Sequence, residues 1–77
     1  MNVEIYSKQN CPSCDAAKEL LKQKGISFTE KATEIAVNYN ELRERYPEVR
    51  QMPQIWINGQ RVGGFDGLKA ALVMLRL

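Results

Sequence analysis

The strongest restriction on the fold of this chain is a change of hydrophobic period at Cys11. Before it, "NVEIY" alternates, with Val3 and Ile5 separated by Glu4, the pattern of a strand. After it, Cys14, Ala17 and Leu21 fall three and four apart, with Leu20 widening the stripe, the pattern of a helix. Pro12 suits the first helical position, and Gly25 after Lys24 suits the stop. "ISFTEKA" then reads as a second strand with Ile26 and Phe28 alternating. Strand, helix and strand in that order require a parallel pair with a right-handed crossover.

The rest of the chain adds an antiparallel element. Ile35, Tyr39, Leu42 and Tyr46 lie at the spacing of one helix face, with Asn38 and Glu41 as a capping pair and Pro47 as its end. "QIWI" and "QRVGG" are strands joined by Asn58-Gly59, a tight hairpin turn. Asp66 is placed to cap a last helix whose stripe is Leu68, Ala71, Leu72 and Leu75. The order β-α-β-α-β-β-α predicts one α/β domain over residues 1–77, a mixed four-stranded sheet packed by three helices.

At 77 residues the chain buries only about 60% of the surface its unfolded form exposes, so its core must be economical. Eleven basic residues are scattered among nine acidic ones for a net charge of +2, which points to neither nucleic acid nor an anionic membrane. The start reads as a strand rather than a signal peptide, and no apolar run approaches the ~18 residues of a membrane span. The expected location is the cytoplasm. Thiols are kept reduced there, so a cysteine pair is more often catalytic or metal-binding than structural.

Cys11 and Cys14 are the only cysteines, and there is no histidine. That absence removes cysteine–histidine catalysis and every imidazole-bearing zinc site. Two thiolates are half of a tetrahedral site, so a metal would need ligands from outside the chain. A strand-to-helix turn puts Cys11 where unpaired backbone N–H groups and the helix dipole favour an anion, and Lys8 can add positive charge. Such settings, and the C-x-x-C spacing, bring a cysteine pKa from about 8.5 to ~3.5–7.5. A lower pKa raises the thiolate fraction but lowers nucleophilicity, so attack roughly breaks even while departure from a mixed disulfide becomes faster. Redox exchange is the favoured reading, with a chance or metal-binding pair as the alternative.

With these residues assembled, the chain resembles a glutaredoxin over nearly its whole length. "VEIYSKQNCPSC" is similar to the family's first strand, lysine and Cys-Pro-x-Cys site. "MPQIWING" resembles the segment where Val-Pro precedes the third strand, and "VGGFDGL" resembles the Gly-Gly-x-Asp signature before the last helix. The resemblance implies a thioredoxin-like fold, Cys11 as nucleophile and Cys14 as resolving thiol. It implies glutathione as reducing cosubstrate, with no bound cofactor and no metal. Pro53 would be a cis-proline, and the backbone of Met52 would bond the cysteinyl unit of glutathione. Lys8 would meet the glycyl carboxylate, Phe65 N–H and Asp66 would hold the γ-glutamyl end, and Gly64 would let the backbone approach the tripeptide closely. Ser13 stands where an aromatic residue is common, and Gln51 where threonine is usual; both border the implied site.

The implied partners are glutathione and disulfide-containing or glutathionylated proteins, with ribonucleotide reductase a family-level expectation, for a chain acting as a monomer. Two other readings stand beside this one. A thioredoxin-like electron donor reduced by a flavoprotein reductase would use the same cysteines. An iron–sulfur module would hold its cluster between two chains with external thiols.

Overall fold

The computed structural model describes residues 1–77. Its elements are β1 (Val3–Ser7), α1 (Pro12–Gln23), β2 (Thr29–Ala32), α2 (Ala36–Arg45), β3 (Gln54–Ile57), β4 (Gln60–Gly63) and α3 (Phe65–Met74). The sheet order is β2-β1-β3-β4, with β1 parallel to β2 and antiparallel to β3, and β3 antiparallel to β4. This is the expected mixed sheet and element order. Asn58 and Gly59 both take positive φ, 52° and 81°, which is the twist a two-residue hairpin requires.

Alternation along the central strands divides the interior in two. Val3, Ile5, Ile55 and Ile57 face α1 and α3, where Ala17, Leu21, Leu68 and Leu72 complete the main core. Tyr6 and Trp56 point to the other face and meet Leu42 of α2 in a smaller cluster, their rings edge to face at 5.3 Å. Both faces of β3 are therefore covered, and all four of its residues are buried.

The structure corrects five expectations. Strand β2 begins only at Thr29; Ile26 and Phe28 pack against the core from the connection before it. On α2 only Leu42 is buried, while Ile35 and Tyr39 are exposed. In place of an apolar face, α2 is tied down by ions: Lys31 Nζ bonds Glu4 at 3.1 Å and Glu41 at 2.6 Å, and Arg45 bonds Glu4 at 2.9 Å. Asn38 caps nothing; its side chain donates to the carbonyl of Ala32 at 3.1 Å, and Ile35 stands at the helix start. Asp66 is not the cap of α3 either, because Gly64 holds that position and Asp66 lies inside the first turn. Leu75 likewise follows the last helical residue and is exposed.

Gly67 sets how closely α3 approaches β4. A Cβ there would run into the backbone carbonyl of Val62, so only glycine allows the helix to settle on the strand.

Candidate functional site

The loop from β1 to α1 carries the cysteines. It is anchored on both sides of Lys8: the Ser7 carbonyl accepts from the N–H and hydroxyl of Thr33, each at 2.8 Å, and the Gln9 N–H donates to Glu34 at 2.6 Å. The Ser7 hydroxyl, itself buried, donates to Glu30 at 2.8 Å. The ammonium of Lys18 first, and that hydroxyl second, hold the Glu30 carboxyl below its usual range.

Cys11 is the residue before α1, with Pro12 at the first helical position as expected. The cysteines form a disulfide with Cα atoms 5.2 Å apart. Cys11 is 5% exposed and Cys14 is fully buried, so an approaching partner meets Cys11. The Cys14 N–H donates to the Cys11 sulfur at 3.2 Å. On its other side that sulfur lies 3.6 Å from the carbonyl oxygen of Met52.

Met52-Pro53 is a cis peptide, as the resemblance implied. Pro53 is buried and Met52 half-buried. No backbone–backbone hydrogen bond holds Arg50, Gln51, Met52 or Pro53, so the Met52 N–H has no partner in the protein. This free donor sits beside the disulfide.

Two hollows meet at that point. One, of about 280 Å³, is bordered by Lys8, Cys11 and Arg50. The other, of about 390 Å³, runs between Pro53 and the start of α3, along Gly64, Phe65 and Asp66. Ser13, Gln51 and Met52 border both, so the two form one groove past the cysteines. Cys11 and every residue that the resemblance placed beside glutathione border it, while Cys14 is buried behind Cys11. Its Lys8 end is cationic, and its far end carries the Asp66 carboxylate, 97% exposed and 3.3 Å from Lys69. The first N–H groups of α3 are open there, since no side chain caps the helix.

Four bordering residues escaped the sequence reading, Asn10 of the smaller hollow among them. Arg50 adds a second cation beside Lys8. Gln54 and Gly67 line the larger hollow. The available signal for Gln54 was a polar residue opening an otherwise apolar strand; nothing marked Gly67.

The arrangement suits reversible disulfide exchange. A helix start and a directed N–H stabilise negative charge on the outer sulfur, and an inner sulfur stands within bonding reach. An extended peptide could lie across the groove, bonding the Met52 backbone.

Comparison with known proteins agrees with that chemistry. The glutaredoxin family model matches residues 3–62. Glutaredoxin 3 of Escherichia coli (strain K12) is 44% identical over 70 residues, covering 90% of this chain and 83% of that protein. The crystal structure of glutaredoxin 1 from Francisella tularensis complexed with cacodylate superposes with a TM-score of 0.79 at 27% identity, covering 99% of this chain and 98% of that one. A buckwheat glutaredoxin–glutathione complex has a TM-score of 0.79 at 20% identity, covering 97% of this chain and 71% of that one, a likeness of fold.

Proposed function

The chain belongs to the glutaredoxin family and is a thiol–disulfide oxidoreductase, and from that premise we propose that glutathione is its reductant. The observation that carries the proposal is the unpartnered Met52 N–H beside Cys11, in a groove with cations at one end and a carboxylate at the other. An extended tripeptide with charged ends matches that order. Its cysteinyl carbonyl would accept from Met52, its glycyl carboxylate would meet Lys8 and Arg50, and its γ-glutamyl end would reach Asp66 and the open N–H groups of α3. The buckwheat protein, alike in fold, was crystallised with this ligand.

For a glutathionylated protein, the Cys11 thiolate attacks the glutathione sulfur, and the protein thiolate leaves and takes a proton. A second glutathione thiolate then attacks the Cys11-bound sulfur, releasing oxidised glutathione and restoring Cys11. For a protein disulfide, Cys11 attacks one sulfur and Cys14 then attacks Cys11. The substrate dithiol is released, and the Cys11–Cys14 disulfide seen here holds the two-electron oxidation. Two glutathiones restore the dithiol.

The proposal includes a monomer acting in the cytoplasm, with a disulfide-forming reductase such as ribonucleotide reductase among the targets. The test is a coupled assay comparing glutathione plus its reductase with thioredoxin reductase as electron source. Turnover saturating in glutathione supports the proposal. Turnover only with the flavoprotein overturns it in favour of a thioredoxin-like donor.

A further inference from the structure

We infer that Gln54 is a positioning residue that aims the Met52 N–H into the groove, with Arg61 as its support; the inference rests on reading that N–H as the donor to glutathione. Gln54 opens β3 and is 7% exposed, yet both ends of its amide are satisfied. Its Nε2 donates to the carbonyl of Gln51 at 3.0 Å, and its Oε1 accepts from Arg61 Nη1 at 3.1 Å. A carbonyl on one side and a guanidinium on the other fit only this orientation of the amide. The Arg61 guanidinium is itself held over the ring of Tyr46, 4.0 Å from its centroid.

The Gln51 carbonyl and the Met52 N–H belong to the same peptide unit. The cis bond is the next one along, so this unit is trans. In a planar trans peptide the C=O and N–H point in opposite directions. Bonding the carbonyl to Gln54 therefore turns the N–H away from Gln54. No backbone–backbone hydrogen bond fixes Arg50 to Pro53, so the Gln54 amide is the main restraint on the rotation of this unit. A relay from Tyr46 through Arg61 and Gln54 thus orients the Met52 donor.

Gln54→Met keeps length and bulk while removing both polar contacts. Gln54→Glu keeps the Arg61 partner but sets an acceptor against the Gln51 carbonyl. Both should raise KM for a glutathionylated peptide about five- to tenfold, the scale of one misdirected hydrogen bond. The kcat should stay within about twofold, and Cys11 alkylation by iodoacetamide should be unchanged, because the sulfur's own contacts are untouched. The NMR order parameter of the Met52 N–H should fall in both variants.

Where wild type saturates with glutathione, an unchanged KM in folded Gln54→Met overturns the inference. Should that variant fail to fold, Arg61→Met at the exposed end of the relay replaces it, with about a two- to threefold rise in KM expected; no rise overturns the inference. Absence of saturation in wild type overturns the glutathione reading instead. The Met52 order parameter then decides alone: a fall supports the positioning role, and a wild-type value overturns it.

Discussion

The backbone N–H of Cys14 is aimed at the sulfur of Cys11 across 3.2 Å while the two sulfurs are bonded to each other. In the oxidised chain this is a contact to a neutral atom. In a reduced chain of the same backbone geometry this N–H would face the Cys11 sulfur as a thiolate, and hydrogen bonds to charged acceptors are the stronger ones. The arrangement singles out Cys11 for the charge and leaves Cys14, wholly buried, to act from within.

The two cysteines should therefore fail differently. Cys11→Ser is expected to lose all thiol transfer, since the chain has no other nucleophile at the groove. Cys14→Ser should keep removal of glutathione from a peptide, which needs only Cys11 and a second glutathione, and should lose most reduction of a protein disulfide. The check is to run both assays on both variants. Substantial activity in Cys11→Ser, or equal loss of both activities in Cys14→Ser, contradicts these roles.

Lys8 and Asp66 mark opposite ends of the groove and are both exposed. Exposed ion pairs are worth about 0–1 kcal/mol each, so Lys8→Ala and Asp66→Ala should each raise KM for glutathione only several-fold. Asp66 is not the helix cap, so Asp66→Ala should leave the melting temperature near wild type. If both variants retain wild-type KM in folded protein, glutathione does not lie along this groove.

How far the sequence reached depended on the range of the interactions involved. Local signals placed the Cys11 turn, α1 and the Asn58-Gly59 hairpin, because Pro12, Gly25 and two positive-φ residues act within a few positions. The site residues from Lys8 to Asp66 were picked out through their motifs, and the structure brings all of them but the buried Cys14 onto one groove. Helix α2 misled because its register is fixed across space by Glu4 and Lys31, not by its own apolar stripe. Asp66 read as a cap because its neighbours are helical, whereas the turn after Gly63 starts α3 two residues earlier. Gln54 and Gly67 were hidden because each acts on a partner brought close only by folding.

Gly67→Ala tests one of those hidden contacts. In an unobstructed helix the change would stabilise by about 0.5–1 kcal/mol. Here the added methyl meets the Val62 backbone carbonyl, which cannot rotate away as a side-chain end could. Overpacking of this kind costs about 1–3 kcal/mol and should outweigh the helical gain. The expected result is a melting temperature lower by about 4 °C or more in thermal denaturation. An increase would mean that α3 does not rest on β4 as closely as described.

The ion network under α2 makes acid the condition that should loosen it. The Glu4 carboxyl is held below its usual 4.5, first by the hydrogen bond from Arg45, against the opposing effect of burial, and then by Lys31. Glu41 is lowered by Lys31 and then by the Tyr6 hydroxyl, and Glu30 by Lys18 and then Ser7. A carboxyl whose folded pKa is depressed binds protons more weakly folded than unfolded. Its contribution is therefore complete above pH 4.5 and is lost as pH falls through the lowered folded values. Thermal denaturation should show a nearly level melting temperature between about pH 7 and 5 and a decline below that. Glu4→Gln removes one depressed carboxylate and leaves Lys31 and Arg45 with fewer partners. It should melt lower than wild type at pH 7 and lose less on acidification, so that the two curves converge. Parallel acid declines in the two proteins would show that Glu4 titrates alike folded and unfolded, and that its two cations hold α2 without it.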